Sequence, residues 1–458
     1  MYNIVIHNHN EAEVTPLSAE IAELLSYREK SYTKAQGFRY TQKTLLYKGG
    51  YFLSGLVPFL SEKVFASVIE DRRSYPQVSL SVPEFRPGFA LRSYQIDYLA
   101  ECCLARRALV KADPGAGKTA IMAGLIATYR LPTLILAPNN TVIAQLKTEL
   151  CSMLPISMEN DQTIGDHHGS PHIMIALARN LVDAPPELLQ SYPLLIADEA
   201  HSCAAEQAMS VILASQAPFR FGFTATPVGR SDQRDLVVQG LFGPIIDLVD
   251  HEQLKQKGFH PSITLDLYYA GWEGDYVYME DVLVVHNTRR NEQIVQLAQE
   301  AGRTGPVLIL VRRIEHGRIL HALLEKNPPR GKRVYYVDGE SSSTERECVR
   351  EETKADMVGV IIATAVFAQG LDIPELAVGI NAGGGKAPIL TEQKLGRISR
   401  PYGGTIKRWV DFDDNYTTTF RRHSQERALL YRAHVDHVNF RGFPSEREEH
   451  LKQLMEGK

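Results

Sequence analysis

The chain lacks the features that would commit it to an oxidising compartment or a bilayer. Its 458 residues include five cysteines, Cys102, Cys103, Cys151, Cys203 and Cys348, an odd number with no CxxC pair. That usage argues against a disulfide framework or a structural zinc site and fits a reducing cytosol. No apolar run approaches the ~20 residues of a membrane span. The opening MYNIVIHNHNEAEV has no basic start followed by an apolar stretch, so no signal peptide is expected. Positive charge is not in excess either, with a net charge of −4 and a pI of about 6.4. A polycation is excluded, and any nucleic-acid contact must come from local patches. Fixed-period repeats and low-complexity tracts are absent as well. The expectation is a soluble, cytoplasmic protein with no membrane partner and an open oligomeric state, for which a monomer suffices.

What is present separates into regions by texture. Residues 1–88 form a small domain rich in Tyr, Phe, Lys and Arg, closing in the Pro-punctuated stretch YPQVSLSVPEFRPGF. From 89 to 255, short apolar runs alternate with helical patterns: RALVKA, TLILAP, HIMIAL, PLLIADEA and FRFGFTATP. A segment of mixed character, 256–290, reads as a link. The alternation then resumes over 291–458 with PVLILV, KRVYYVDG, MVGVIIATAV, LAVGIN and IKRWVDF. Buried strands separated by helices imply parallel sheets of the βαβ kind. The fold class is therefore α/β, with two tandem lobes behind a small N-terminal α+β domain. The stretch 421–443 reads as an amphipathic helix packing on the second lobe, with an Arg-rich face.

The chemistry begins at ADPGAGKT, residues 112–119. This is the phosphate-loop pattern with Ala112 at the first glycine position, and it follows a candidate strand and precedes a helical pattern. Pro114, Gly115, Ala116 and Gly117 form the turn, in which successive backbone N–H groups can point at phosphate oxygens. Lys118 can reach the outer phosphates, and the Thr119 hydroxyl can ligate Mg²⁺. The second element, LLIADEAHS, ends an apolar strand on Asp198 and Glu199. Adjacent carboxylates at the carboxyl edge of a parallel sheet face the same crevice as the phosphate loop. Asp198 is expected to hold Mg²⁺, and Glu199 to orient and deprotonate the attacking water. His201 is either a link between this site and a moving part or a satisfied buried histidine.

ADPGAGKT, DEAH at 198–201, TATP at 224–227 and QKLGRISR at 393–400 occur in the order of motifs I, II, III and VI of superfamily 2 helicases, which this chain resembles. LRSYQ, LAPNNTVIAQ and ATAVFAQGLDIP match the adenine-reading element and motifs Ia and V. The size, the N-terminal texture and GGYFLSGLVPFL are similar to the phage UvsW-type branch-migration helicases. The resemblance implies RecA-like lobes with ATP and Mg²⁺ as cofactors. It places Gln95 on the adenine with Arg92 and Tyr94 packed near it, or merely packed. It sets Thr224 and Thr226 to couple phosphate state to DNA contact, unless they are ordinary turn residues. Gly370 and Asp372 would approach the nucleotide from the second lobe, or form a capped turn. Gln393 would place the water, Arg397 would support, and Arg400 would be the finger on the γ-phosphate. For a phage-encoded protein the compartment is the host cytoplasm.

Nucleic-acid contact is expected in two places. Residues 28–48 interleave Lys30, Lys34, Arg39 and Lys43 with Tyr40 and other aromatics, a pattern that suits phosphate contact plus stacking. The rival reading is a twisted meander with an aromatic core and solvated lysines. In the lobes, the resemblance implies that Asn139, Gln145, Arg312 and Thr364, at motifs Ia, IV and V, contact the backbone of one strand. The function these readings imply is ATP-dependent helicase or translocase action on branched or forked DNA. An RNA helicase, a duplex translocase and a non-enzymatic nucleic-acid-binding protein are the alternatives.

Overall fold

The computed structural model describes residues 2–33, 37–112, 116–158, 163–165, 173–228, 234–249, 262–271, 281–364, 376–385, 407–432 and 435–456. The chain divides into two compact units, and the break between them falls at residues 249 and 250.

The first unit contains the N-terminal part and lobe 1. The N-terminal strands are β1 (Tyr2–Ile6), β2 (Glu11–Thr15), β3 (Ser26–Thr33), β4 (Gly37–Thr44), β5 (Tyr51–Leu53) and β6 (Ala66–Asp71). Four of them form a mixed sheet in the order β5-β2-β1-β6, while β3 and β4 make a separate antiparallel hairpin. The inward residues Ile4, Ile6, Val14 and Phe52 pack against Ile21, Leu56 and Leu60 from the helices Ala19–Leu24 and Val57–Lys63 and the turn before the latter. This is the small α+β part expected from the sequence.

Lobe 1 is built on β7 (Arg107–Lys111), β8 (Thr133–Ala137), β9 (Ser157–Met158), β10 (Thr163–Gly165), β11 (Ile173–Leu177), β12 (Leu194–Asp198), β13 (Phe219–Thr224) and β14 (Ile245–Ile246). The order is β14-β7-β13-β12-β8-β11-β10-β9, parallel from β14 to β11 and antiparallel only where β10 and β9 extend one edge. The central strands are covered on both faces. That is why they read as unbroken apolar runs, since burying each Leu, Ile or Val contributes roughly 1.5–3 kcal/mol.

The sequence boundary at residue 88 marks a change of texture, but the two sides are packed together. Arg107, buried at the start of β7, donates from Nη1 to His9 O and Ser54 Oγ (both 2.8 Å), from Nε to Phe242 O (3.0 Å) and from Nη2 to Leu241 O (2.7 Å). Arg220 on β13 donates to Ala217 O (2.8 Å) and to Asn10 Oδ1 (2.6 Å), and Asn10 in turn donates to Leu213 O (2.8 Å). Gly55 and Gly240 let the two parts touch backbone to backbone, because a side chain at Gly55 would strike Gly240 O.

Lobe 2 is a seven-stranded, all-parallel sheet of β15 (Ile263–Ala270), β16 (Val307–Val311), β17 (Arg333–Val337), β18 (Val358–Thr364), β19 (Val378–Asn381), β20 (Lys407–Asp414) and β21 (His437–Arg441). Its order is β17-β18-β16-β19-β20-β15-β21. Two expectations are corrected here. The segment 256–290 is not merely a link, because β15 lies inside the sheet between β20 and β21. Its Asp266 disguised it: the carboxylate is buried but held by Arg408 and Asn439. Nor is 421–443 one helix. The helix Thr418–Tyr431 gives way to β21, which adds to the edge of the sheet beside β15.

Candidate functional site

The phosphate loop enters the helix Lys118–Tyr129 through Gly117, whose φ of +77° and ψ of +48° lie in the left-handed region that glycine adopts at least cost. The Gln95 amide sits where a Cβ on Gly117 would stand, so this glycine is also required by close packing. Gln95 is 3% exposed. Its Oε1 accepts from Arg92 N at 2.9 Å, and the Arg92 guanidinium donates to Tyr94 OH at 3.0 Å. Residues 92–95 and the phosphate loop are therefore neighbours. Pro114 and Gly115 lie outside the described residues. Ala116 is buried, while Lys118 and Thr119 are partly exposed at the start of the helix.

The acidic element meets this loop directly. Lys118 Nζ donates to Glu199 Oε1 at 2.9 Å, with the two side chains 17% and 27% exposed. Glu199 holds a left-handed backbone with φ +49°, uncommon for a residue with a Cβ and typical of over-determined functional turns. That turn follows the strand end at Asp198, whose Oδ1 accepts from Glu199 N at 3.0 Å. Loss of hydration pushes Asp198 up to about 6. Lys118 works against this shift and the neighbouring Glu199 charge adds to it.

His201 extends the chain of contacts. Its Nδ1 stands 3.3 Å from Glu199 Oε2 and 3.0 Å from Thr224 Oγ1, and Thr224 Oγ1 accepts from Thr226 N at 3.2 Å. Lys118, Glu199, His201, Thr224 and Thr226 thus form one contiguous polar path across the carboxyl ends of β12 and β13. His201 is thus satisfied by two neighbours, and these same contacts join Glu199 to Thr224. Among the described residues no cluster of three or more His, Cys, Asp or Glu could hold a metal. The set Thr119 and Asp198 does suit a Mg²⁺ that keeps several waters and phosphate ligands, as such sites usually do.

The remaining candidates scatter. Asn139 caps the helix Asn140–Met153, accepting from Val142 N at 3.0 Å, and Gln145 donates to Glu149 Oε1 at 2.7 Å. In lobe 2, Val311 is in register with Thr364, so Arg312 and Thr364 come together at one carboxyl edge, with Arg312 exposed. In the hairpin, Lys30 is paired with Tyr40 and Ser31 with Arg39. Tyr40 is 59% exposed. Lys43 lies 3.7 Å from Glu29, which Arg234 of lobe 1 also grips, with Nε at 2.8 Å. Lys34, Gly370, Asp372, Gln393, Arg397 and Arg400 lie outside the described residues. Arg107, Arg220, Arg290 and Arg427 are buried polar anchors that sequence reasoning missed. Their partners are mostly distant in the chain, and an isolated Arg carries no local signal.

Residues 88–229 match the family described as type III restriction enzyme, res subunit, and residues 280–402 match the helicase conserved C-terminal domain. The chain belongs to the superfamily 2 helicases. It is 22% identical over 335 residues to the ATP-dependent DNA helicase UvsW of Enterobacteria phage T4, covering 68% of this chain and 65% of that protein. It is 26% identical over 362 residues to the DNA 3′–5′ translocase XPB2 of Sulfurisphaera tokodaii, covering 70% and 81%. The chain spans between 52% and 65% of the length of three curated relatives that it matches, UvsW among them. Among solved structures, the fragment structure of an HsdR subunit of a type I restriction enzyme from Vibrio vulnificus YJ016 aligns with a TM-score of 0.55 at 17% identity, over 77% of this chain and 69% of that one. Dbp5 of S. cerevisiae, bound to RNA and ADP BeF3, aligns with a TM-score of 0.52 at 15% identity, over 76% and 89%. Both share the fold of this superfamily 2 chain. No helix among its described residues is long and apolar enough to cross a membrane.

Proposed function

We propose that this chain is an ATP-dependent DNA helicase or translocase acting on branched DNA such as forks, Holliday junctions and displacement loops. The observation that carries the reading is the unbroken path from Lys118 through Glu199 and His201 to Thr224 and Thr226. It joins the phosphate loop to the residues that would report nucleotide state to a DNA-contacting loop. The DNA relatives, a UvsW helicase and an XPB2 translocase, support DNA over RNA.

When bound, ATP with Mg²⁺ supplies the γ-phosphoryl group that hydrolysis releases. In this reading Gln95, Arg92 and the phosphate loop hold the nucleotide, and Thr119 and Asp198 hold the metal. Lys118 neutralises charge on the outer phosphates, and Glu199 takes the proton of the attacking water at its carboxylate. The existing Lys118–Glu199 pair keeps both side chains in place before substrate arrives. By the resemblance, Arg400 would be the finger on the γ-phosphate, with Arg397 supporting it and Gln393 placing the water.

ATP turnover measured across single-stranded, forked, four-way-junction and RNA substrates tests this directly. Branched DNA should stimulate most. Lys118→Ala should lower stimulated turnover by about 10³-fold, on the scale of losing one electrostatic stabiliser of the transition state, while junction binding persists. Normal turnover in that variant would refute the site, and stimulation by RNA alone would refute the substrate.

A further inference from the structure

Lobe 2 carries a pocket of about 580 Å³ that the nucleotide site does not use. Its size falls in the range of ligand sites, roughly 300–1,000 Å³. The pocket opens at the carboxyl ends of β15 and β21, beside the first turn of the helix Thr288–Gly302. Ligands of parallel α/β sheets gather at such carboxyl ends. In the sheet order β15 stands four strands from β18, which at ~4.8 Å per strand puts the pocket about 19 Å from Thr364.

The wall combines cations and aromatic rings. Arg289 and Arg441 are exposed on it. Arg441 Nη2 lies 3.9 Å from Asp266 Oδ1, a carboxylate already engaged by Arg408 and Asn439, so its charge is only loosely matched. Glu292 is the one acid in the wall among the described residues. Tyr269 folds over Gly271, where any side chain would collide with its ring, and Asn415 fixes its hydroxyl at 2.9 Å. Asn287, the helix cap, fixes the Tyr416 hydroxyl at 3.2 Å. Both rings are therefore held before anything binds.

Arg290 is a buried cation behind the same wall, its guanidinium 4.6 Å over the Phe412 ring. It is 2% exposed and lies in the pocket wall. Its Nε donates to Asp414 Oδ1 at 3.1 Å and its Nη1 to Ala382 O at 2.7 Å, but its buried Nη2 has no hydrogen-bond partner. Buried donors are almost always paired, and leaving one unpaired is costly.

We propose that this pocket binds a nucleoside phosphate, with the phosphate held by Arg289, Arg441 and the positive end of the helix and the base against Tyr269 and Tyr416. Arginine forks and helix N-termini suit phosphate. Aromatic faces accept any base, which a sequence-independent contact requires. The unit is either an unpaired nucleotide of a DNA strand or a free nucleotide. The strand form rests on the motor function proposed above; the free form does not.

The test uses the full chain, with its ATP site saturated by a non-hydrolysable ATP analogue. The probes are 5′-phosphorylated tetrathymidylate and thymidine monophosphate. Arg289→Ala combined with Arg441→Ala should weaken tetrathymidylate binding at least tenfold and leave the melting temperature and analogue affinity unchanged. The control pair Arg303→Ala with Arg330→Ala, both exposed in the same lobe, should stay within twofold of the parent. A parallel loss for the monophosphate assigns the site to free nucleotide, and a loss for the oligonucleotide alone assigns it to a strand. Equal binding by parent and double variant, or no binding of either probe to the parent, overturns the proposal. If DNA fails to stimulate ATP turnover while oligonucleotide binding still depends on the two arginines, the motor reading fails and the pocket stands.

Discussion

Both lobes bury arginines against a parallel sheet, yet lobe 1 surrounds Arg107 and Arg220 with neutral oxygens, whereas lobe 2 sets Arg290 and Arg427 against Asp414 and Asp411. In lobe 1 the acceptors are carbonyls, a hydroxyl and an amide drawn from segments far apart in the chain. Such a guanidinium works as a multi-point joint between the N-terminal part and the sheet. Without a carboxylate it is costly to bury: burial lowers Arg107 to about 10 and pulls Arg220 well below its usual value. In lobe 2, Asp411 accepts from Arg427 (2.8 Å), Tyr431 (2.6 Å), Asn381 (3.0 Å) and the Phe412 N–H (2.8 Å). Arg427 also donates to Gly385 O at 2.6 Å. These bonds fix the end of β20 and the exit of β19 as one piece. The difference shows a cation used as a joint between distant segments in one lobe and a charge pair used to stiffen one sheet edge in the other.

That contrast can be broken most sharply in lobe 2. Asp411→Ala leaves the buried Arg427 with Asp414, 3.7 Å away, as its remaining counter-charge, and should cost about 3 kcal/mol, read as a lower urea midpoint. A loss under 1 kcal/mol would mean that the pair anchors nothing. In lobe 1, Arg107→Met removes a buried cation together with its bonds. The cost should be smaller, about 1–3 kcal/mol for the acceptors left unpaired, and limited proteolysis should reach the 73–90 stretch sooner. Unchanged proteolysis would remove the joint from the comparison. The smallest effect comes from pH. His316, buried in lobe 2 with Nε2 2.9 Å from Asn291 Oδ1, is lowered to about 3 by burial first and then by Arg290. The folded state therefore binds the proton less well than the unfolded chain. Its contribution is complete above pH 6.5 and is lost as the pH falls from there toward 3. At pH 5.5 the loss relative to neutrality should be about 1.3 kcal/mol, and His316→Gln should flatten that part of the stability profile. An unflattened profile would place the acid sensitivity elsewhere. His9, lowered to about 4 at the lobe 1 joint, acts in the same direction.

The strands that the sequence revealed are those buried on both faces, such as ILIL-type runs at β8, β12, β16 and β18, because full burial allows only apolar side chains. β15 and β21 stayed hidden. One carries a buried carboxylate whose partners are 142 and 173 residues away, and the other is a short edge strand, HVNFR, with polar ends. The site divided in the same way. Lys118, Asp198, Glu199 and Thr224 sit in local patterns because a phosphate loop and a strand-end carboxylate are local devices. Gln95 against Gly117, and His201 between Glu199 and Thr224, needed the fold to bring them together. The lobe 2 pocket has a faint local signature, the NTRRN cap and arginine pair at 287–291, but its other half arrives from 416 and 441.

The hairpin of β3 and β4 gains a mechanical meaning from its root. Tyr27 packs into the lobe 1 core and Glu29 is clasped by Arg234, so the base of the hairpin is fixed to the lobe that carries Lys118. From Ser26 to Thr33 the strand reaches about 24 Å at ~3.4 Å per residue. As a lever clamped at one end, it turns angle into distance. A tilt of about 10° in its lobe carries the far end of the strand roughly 4 Å, comparable to the ~3.4 Å spacing along one DNA strand.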